Sequence, residues 1–440
     1  MLGAGLAGLV AARDLEADGA KAIVLEARNR VGGRVHTVRS GFVGGQHAEA
    51  GADLIEGGQS EIRDLACDLG LTTVRILRRG WGFYDTSGGG HLRAGVSADV
   101  FEETARLLAG EISDYKLAGL RWDSAVAAAI GRRSVAEWLD AIDASPEFRA
   151  RIRGLRGFFL ADPEDLSLLA LVDQFAAEGP PGAEDFFRVQ GGNDLLAERL
   201  VARLSTKVRL RHIVTRVVRS AAGVVVTCEH RGRCHELKAD FCVAALPAST
   251  LRKVVFEPAL PVLQRRALAA LQYGPATRML IQFDRRFWRR ATRPSAFGSD
   301  QATGAVWDGN ENQRGRAGIL SLLAGGGAAA ALRDIAAAGG VEDVARRLAW
   351  LGTPAAILGS TLVSWDRDPW AGGGYAVFGP SFDPSLRPWL ARPAGRVLFA
   401  GEHTSLRWQG YMNGAIESGR RAAAEVRALM SLARAGRASI

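Results

Sequence analysis

Apolar positions change their spacing along the chain, and the changes mark out its elements. Leu6 to Asp18 carries helical spacing and meets Gly19 as a stop signal, and Ala22 to Leu25 is a short apolar run ending on Glu26. Helical spacing returns at Ile62, Leu65, Ala66 and Leu69 within 60–69, then in three runs at 100–108, 134–142 and 166–177. Strand signals are few between those runs, and Gly179-Pro180-Pro181-Gly182 reads as the breaker that ends them. Further on, Gly191-Gly192-Asn193 opens a helix over 194–204, while 208–218 and 224–228 read as strands and 240–247 as a buried strand leading into a turn. Residues 271–380 mix strands with a helix at 341–351, and the chain closes on a strand at 396–400, a glycine-rich turn and a helix over 416–430.

The first elements carry a motif. Gly3, Gly5 and Gly8 form G-x-G-x-x-G ahead of the first helix. The first glycine makes a tight turn, the second lets backbone approach a pyrophosphate, and the third lets helix and strand pack closely. The helix N-terminus favours the anion, and Glu26 at the strand tip suits the two ribose hydroxyls of a dinucleotide. Alone the motif is weak in a chain with 53 glycines; the order of glycines, helix, strand and terminal acid strengthens it. Only Met1 and Leu2 precede Gly3, where such a unit has an apolar strand. The expectation is a true start upstream, the alternative a damaged sheet that retains its dinucleotide less well.

Composition narrows the rest. At 440 residues and 48% hydrophobic content, two or three domains with substantial cores are expected. Net charge is +9, yet only Lys21, Lys116, Lys207, Lys238 and Lys253 are lysines, and the many arginines are mixed with 47 acids. No basic stripe with interleaved aromatics argues for nucleic acid. Cys67, Cys228, Cys234 and Cys242 form no C-x-x-C pair and read as reduced thiols of a cytoplasmic protein. No run of about 18 apolar residues suggests a transmembrane segment, and no metal site is expected.

Glu26-Ala-Arg28-Asn-Arg30-Val-Gly32-Gly33-Arg34 resembles the second-strand signature of the flavin amine oxidases, the monoamine and polyamine oxidases. The resemblance runs through 51–71, 191–247, 273–288, 361–379 and 396–423, nearly the whole chain. It implies FAD in a Rossmann-like domain, beside a mixed α/β substrate domain with a helical insertion. The expected FAD-binding segments are 1–90, 186–270 and 391–440, with the insertion at 91–185 and the substrate domain at 271–390. Carried over residue by residue, the cofactor contacts are Gly3, Gly5, Gly8, Glu26, Arg28, Gly33 and Arg34, then Gly51, Ala52, Asp53 and Leu54 beside the flavin ring. They continue at Val214 near the adenine, Trp365 packed on the flavin, Gly401 and Glu402 at the ribityl chain, and Tyr411, Met412 and Ala415 at the pyrimidine end.

The same resemblance implies chemistry: hydride leaves the carbon bearing a neutral amine for the flavin, the imine hydrolyses, and oxygen or another acceptor takes the electrons. Tyr375 and Tyr411 match two rings that face each other before the flavin, where an electron-rich cage suits developing positive charge; the bland reading is two core tyrosines. Gly374 stands where animal monoamine oxidases carry the cysteine bonded to FAD, so non-covalent FAD is expected. Glu56 aligns with an acid of some polyamine oxidases that can attract an ammonium, or is a solvated loop carboxylate. Leu54 replaces the arginine with which amino-acid oxidases clamp a carboxylate, which disfavours an α-amino acid. Arg278 replaces a lysine that assists reoxidation by oxygen; arginine keeps the charge but releases a proton poorly. The alternatives are an FAD-dependent desaturase or dehydrogenase of an apolar substrate and a catalytically impaired flavin-binding scaffold. A homodimer is possible.

Overall fold

A computed structural model describes residues 1–86, 91–93, 96–176, 185–291 and 293–438. The expected breaker at 179–182 lies outside the described residues.

The helix Leu6–Ala17 starts at Gly5 as N-cap, and Gly3 turns with φ +97°. Leu2 sits in parallel register between Leu25 and Ala244, so strand Leu25–Glu26 lies beside Leu2, and Leu2 beside strand Cys242–Ala244. The sheet continues in parallel to Arg209–Leu210 on one side and Val397–Phe399 on the other. Strands this short hold because helices cover them. Leu6–Ala17 packs against the long terminal helix Met412–Ala438 through Ala7, Ala11, Leu15, Ala422, Ala423 and Val426, all buried with Val243 and Leu398. A Cβ on Gly419 would lie 2.4 Å from the Ala7 carbonyl oxygen, so only glycine lets the two helices approach this closely.

The expected strand over 208–218 is in fact two strands. Arg209–Leu210 joins the parallel sheet; Arg211, with φ +58°, turns the chain; Ile213–Arg219 then enters a separate four-stranded sheet with 224–230, 233–239 and 255–257. The helix expected over 341–351 begins earlier, at Gly327, and runs to Arg346 with a break at Gly340. The alanine-rich run before that glycine is a strong helix former, and apolar periodicity cannot register alanines.

A seven-stranded sheet forms the second layer, in the order 357–364, 276–283, 318–325, 305–308, 296–299, 81–85 and 91–93. Its strand Ala276–Phe283 is buried at every position, between antiparallel neighbours on both sides. Strand Trp81–Asp85, which falls in the expected first nucleotide segment, hydrogen-bonds instead in parallel with Ala296–Ser299 of this sheet. A three-stranded sheet of Ile55–Glu56, Phe186–Val189 and Thr73–Ile76 links the layers. The helical stretch has seven helices between Val96 and Ala176 among the described residues. Ser124, Ser134 and Ser145 each accept a backbone N–H at a helix start, and Ser134 forms a capping box with Glu137.

Candidate active site

A cavity of about 580 Å³ runs from the first glycine turn to the face of the seven-stranded sheet. Every site residue expected from the sequence except Gly8 lies on its wall. Gly8 packs instead: its Cβ would fall 2.1 Å from the Gly3 carbonyl oxygen, so it closes the turn onto the helix.

At the turn end, Gly3, Gly5 and Gly33 line the wall. A Cβ on Gly5 would meet no protein atom within 4 Å and would project into the cavity. The buried Glu26 carboxylate accepts the Ala4 N–H and the Arg28 N–H, both at 2.8 Å, which fixes its direction at the strand tip. Arg28 is clamped through both terminal nitrogens to Asp368, at 2.6 and 2.7 Å, beside the Trp365 ring. Val214 is on the wall where its strand begins, one residue before a bulge.

In the middle, Arg34 donates to the Glu402 carboxylate at 2.9 Å and to the Gly374 carbonyl at 2.8 Å. Its first partner is thus a carboxylate of the protein. Glu402 also accepts the N–H of Gly410 at 2.9 Å. Gly401, with φ +127°, is required beside it, because a Cβ there would press on the His403 ring at 2.8 Å. His403 is buried, and desolvation, with the guanidinium groups of Arg34, Arg421 and Arg252 nearby, holds it down to about 4, so it is neutral at pH 7. Gly51 passes under the Arg34 carbonyl, with a Cβ position 1.9 Å from that oxygen, and Trp365 fixes the same turn by donating to the Ala50 carbonyl at 2.9 Å. Met412 and Ala415 line the wall from the first turn of the terminal helix.

Arg278 comes from the buried strand. It donates to the Ser321 hydroxyl at 2.7 Å and the Gly51 carbonyl at 2.9 Å, over the Trp307 ring. Burial lowers it to about 10, partly offset by Asp53, so it stays protonated at neutral pH. Asp53 accepts Arg188 at 2.6 Å and the Trp307 indole at 2.8 Å. Arg188 and Trp307 carry no motif, and sequence reasoning missed both.

At the far end, Tyr375 and Tyr411 share the wall with Trp81, Trp122, Phe158, Phe186, Trp307 and Phe378, and Leu54 is beside them. The Tyr375 hydroxyl donates to the Phe158 carbonyl, and its ring packs against Gly410. Trp408 meets the Tyr411 ring edge-on at 5.9 Å. Burial raises both phenols well above their usual range. Asp173 and Gln174 reach the wall from helix Leu168–Ala176. An Asp-Gln pair inside so apolar a run was a signal that sequence reasoning passed over.

The residues fit a dinucleotide. The glycine turn leaves room where a Cβ would intrude, an oriented carboxylate stands at the strand tip, and a polar middle leads to an aromatic chamber. This frame and site define an FAD-dependent oxidoreductase. The chain belongs to the flavin containing amine oxidoreductase family, whose profile matches residues 6–427. It is 28% identical to a putative flavin-containing monoamine oxidase of Mycobacterium tuberculosis (strain CDC 1551 / Oshkosh), over 98% of this chain and 96% of that one. It is 29% identical to a flavin-dependent L-tryptophan oxidase of Lentzea aerocolonigenes, over 98% and 97%. The fold is shared with cyclohexylamine oxidase from Brevibacterium oxydans IH-35A, at TM-score 0.84 and 24% identity, covering 98% of each chain. Among the described residues no helix is long and apolar enough to cross a membrane.

Proposed function

We propose that this enzyme oxidises a primary monoamine with an apolar or aromatic body, holding FAD without a covalent bond and passing electrons to oxygen or another acceptor. The observation that supports this reading is that Tyr375 and Tyr411 share one cavity wall with Arg34 and Glu402 and with Trp81, Trp122 and Phe158, the Tyr375 hydroxyl bonding to the Phe158 carbonyl while its ring lies against Gly410, whose N–H bonds to Glu402. An amine nitrogen held among electron-rich rings is favoured as positive charge develops on it, and its apolar body is desolvated beyond them.

Segments 1–80, 186–270 and 391–440 would hold the cofactor. Gly3, Gly5 and Gly33 would receive the pyrophosphate, Glu26 the adenosine ribose, and Glu402, fixed by Arg34, the ribityl chain. The flavin supplies the hydride acceptor. The chain's own part is to exclude water, orient the amine and place the Arg278 charge close by. Gly374 offers no nucleophile for a covalent bond. Leu54 leaves a substrate carboxylate without its clamp, which supports an amine over an α-amino acid. The four cysteines are free, in keeping with a reducing, cytoplasmic setting.

An anaerobic panel of benzylamine, cyclohexylamine, putrescine and L-tryptophan on FAD-loaded protein tests this. Bleaching of the flavin band by the first two, in preference to the last two, is expected. Bound FAD that none of them bleaches would shift the reading to a desaturase or dehydrogenase of an apolar substrate.

A further inference from the structure

Two of the carboxylates on the cavity wall close onto an arginine, Asp53 on Arg188 at 2.6 Å and Glu402 on Arg34 at 2.9 Å. A third does not. Asp173 and Arg387 both line the cavity, yet 3.6 Å separates Oδ2 of one from Nη1 of the other, where a charge-assisted hydrogen bond closes to about 2.7–2.9 Å.

The open pair leaves hydrogen-bonding capacity unused on both sides. Oδ1 of Asp173 accepts the hydroxyl of the buried Tyr115 at 2.7 Å, and among the described residues nothing donates to Oδ2. Arg387 spends Nη2 on the carbonyls of Leu406 and Ser405, at 2.7 and 3.4 Å, while Nε and Nη1 are buried without a partner. Buried polar groups are seldom left so, and each such case calls for a reason. The two halves also differ in reach: the Asp173 side chain is 30% exposed and that of Arg387 only 2%. The carboxylate is therefore the half that a molecule in the cavity can touch.

The pair stands at the aromatic chamber. The Arg387 guanidinium lies over the Trp122 ring, 3.9 Å from its centre, and 4.9 Å from that of Phe378, and those two rings are 4.7 Å apart. An apolar body seated against Trp122 and Phe378 brings its far edge toward Asp173.

We propose that Asp173 is a specificity-determining residue that accepts a hydrogen bond from a hydroxyl at the far end of the substrate, so that the preferred amine is an arylalkylamine ending in a phenol. Charge selects the hydroxyl. A second ammonium would be drawn to Asp173 but would meet the Arg387 charge directly behind it, and a carboxylate would meet Asp173 itself; a neutral O–H donor satisfies Oδ2 and disturbs neither. This assignment rests on the amine reading above and names the substrate class of that same site.

Anaerobic reduction of the FAD holoenzyme by two matched pairs of different reach tests it: 2-phenylethylamine against 4-(2-aminoethyl)phenol, and 3-phenylpropylamine against 4-(3-aminopropyl)phenol. In at least one pair the phenol should be favoured by at least about tenfold in rate over dissociation constant, the scale on which a site built for a hydroxyl rejects its absence. Asp173→Ala should bring that ratio close to one, with the rate for the unhydroxylated amine as internal control. Because this change strands Arg387, the double variant Asp173→Leu with Arg387→Met removes both charges together and should lose the preference while keeping bound FAD. A second readout needs no oxidation: p-cresol should perturb the flavin band at a concentration at least about tenfold below toluene in wild type, and equally with toluene in the double variant.

Equal treatment of both members in both pairs overturns the proposal and leaves the gap to a bridging water only. A phenol preference that survives in both variants overturns it too, since the hydroxyl is then read elsewhere. So does a stronger preference for 2-[4-(aminomethyl)phenyl]ethylamine, which would mean that Asp173 reads charge. A flavin that no amine bleaches, in a protein that still tells p-cresol from toluene through Asp173, would defeat the amine reading and support the hydroxyl site.

Discussion

The Arg278 guanidinium lies over the Trp307 indole, 4.5 Å from the ring centre, while that indole's N–H donates to Asp53 at 2.8 Å. Asp53 in turn bonds Arg188 at 2.6 Å and stands 3.8 Å from Arg278. One carboxylate therefore serves two buried guanidinium groups, and the indole couples them geometrically. Arg278 is wide and planar and bonds through both terminal nitrogens, so it is fixed where a lysine would swing.

From this follows a separation of half-reactions. Arg278→Lys should speed flavin reoxidation by oxygen with little change in anaerobic reduction, because an ammonium hands on a proton more readily than a guanidinium. Arg278→Met, which removes the charge, should slow reoxidation by at least about tenfold, the scale of one electrostatic contact. Stopped-flow measurement of both half-reactions decides it; unchanged reoxidation in both variants would strip Arg278 of the role.

Asp53→Asn would leave Arg188 and Arg278 without their shared counter-charge. Breaking a buried pair from one side costs about 3–5 kcal/mol, so a large drop in thermal stability is expected even in the FAD-free protein. A melting temperature within a degree or two of wild type would mean the network is not structural.

Two glycines on the cavity wall should part company. Alanine at Gly51 collides with the Arg34 carbonyl oxygen at 1.9 Å, so Gly51→Ala should unfold or severely destabilise the protein. Alanine at Gly5 meets nothing in the protein, so Gly5→Ala should keep the FAD-free melting temperature while weakening FAD binding by at least about tenfold. Titration of FAD into each apoprotein, beside its melting curve, reads both.

Stability should depend on pH through opposed buried groups. His403 and His36 are held down from 6.5 to about 4, so below pH 6.5 the unfolded chain binds protons that the folded one refuses, and stability falls as pH drops. For His403 the full loss at pH 4 is about 3 kcal/mol. Glu49, desolvated and close to Asp53, is pushed up to about 7, so stability is lost as pH rises from 4.5 to 7. The two trends partly cancel. Glu49→Gln should therefore steepen the rise in melting temperature between pH 4.5 and 7, and His403→Gln should flatten or reverse it. Parallel curves for all three proteins would refute this balance.

Much of the cofactor end was legible because backbone geometry there demands particular residue types. Gly3 and Gly401 sit at positive φ, and Glu26 is fixed by two amides, so identity and spacing carry the information. The far end was less readable. Trp81, Trp122 and Phe158 obey the same burial pattern whether they face a cavity or a core, and no periodicity distinguishes the two. Arg188 reaches Asp53 across 135 residues, a pairing set by tertiary packing alone. Fold class followed from the glycine motif with its helix and strand and from the family resemblance; the assignment of strand Trp81–Asp85 did not, since sheet membership depends on partners remote in the chain.

The packing around Gly374 constrains how a covalent flavin link could ever be acquired. A Cβ at this position would lie 2.4 Å from the Leu160 side chain and 3.0 Å from the Ala276 methyl. Cysteine here must wait for space, so Gly374→Cys on its own should harm the protein, while the same change after Leu160→Ala should be tolerated. A mutational path to a tethered cofactor is thus open in one order and closed in the other, and the gatekeeper is a leucine in the helical stretch that bears no chemistry of its own.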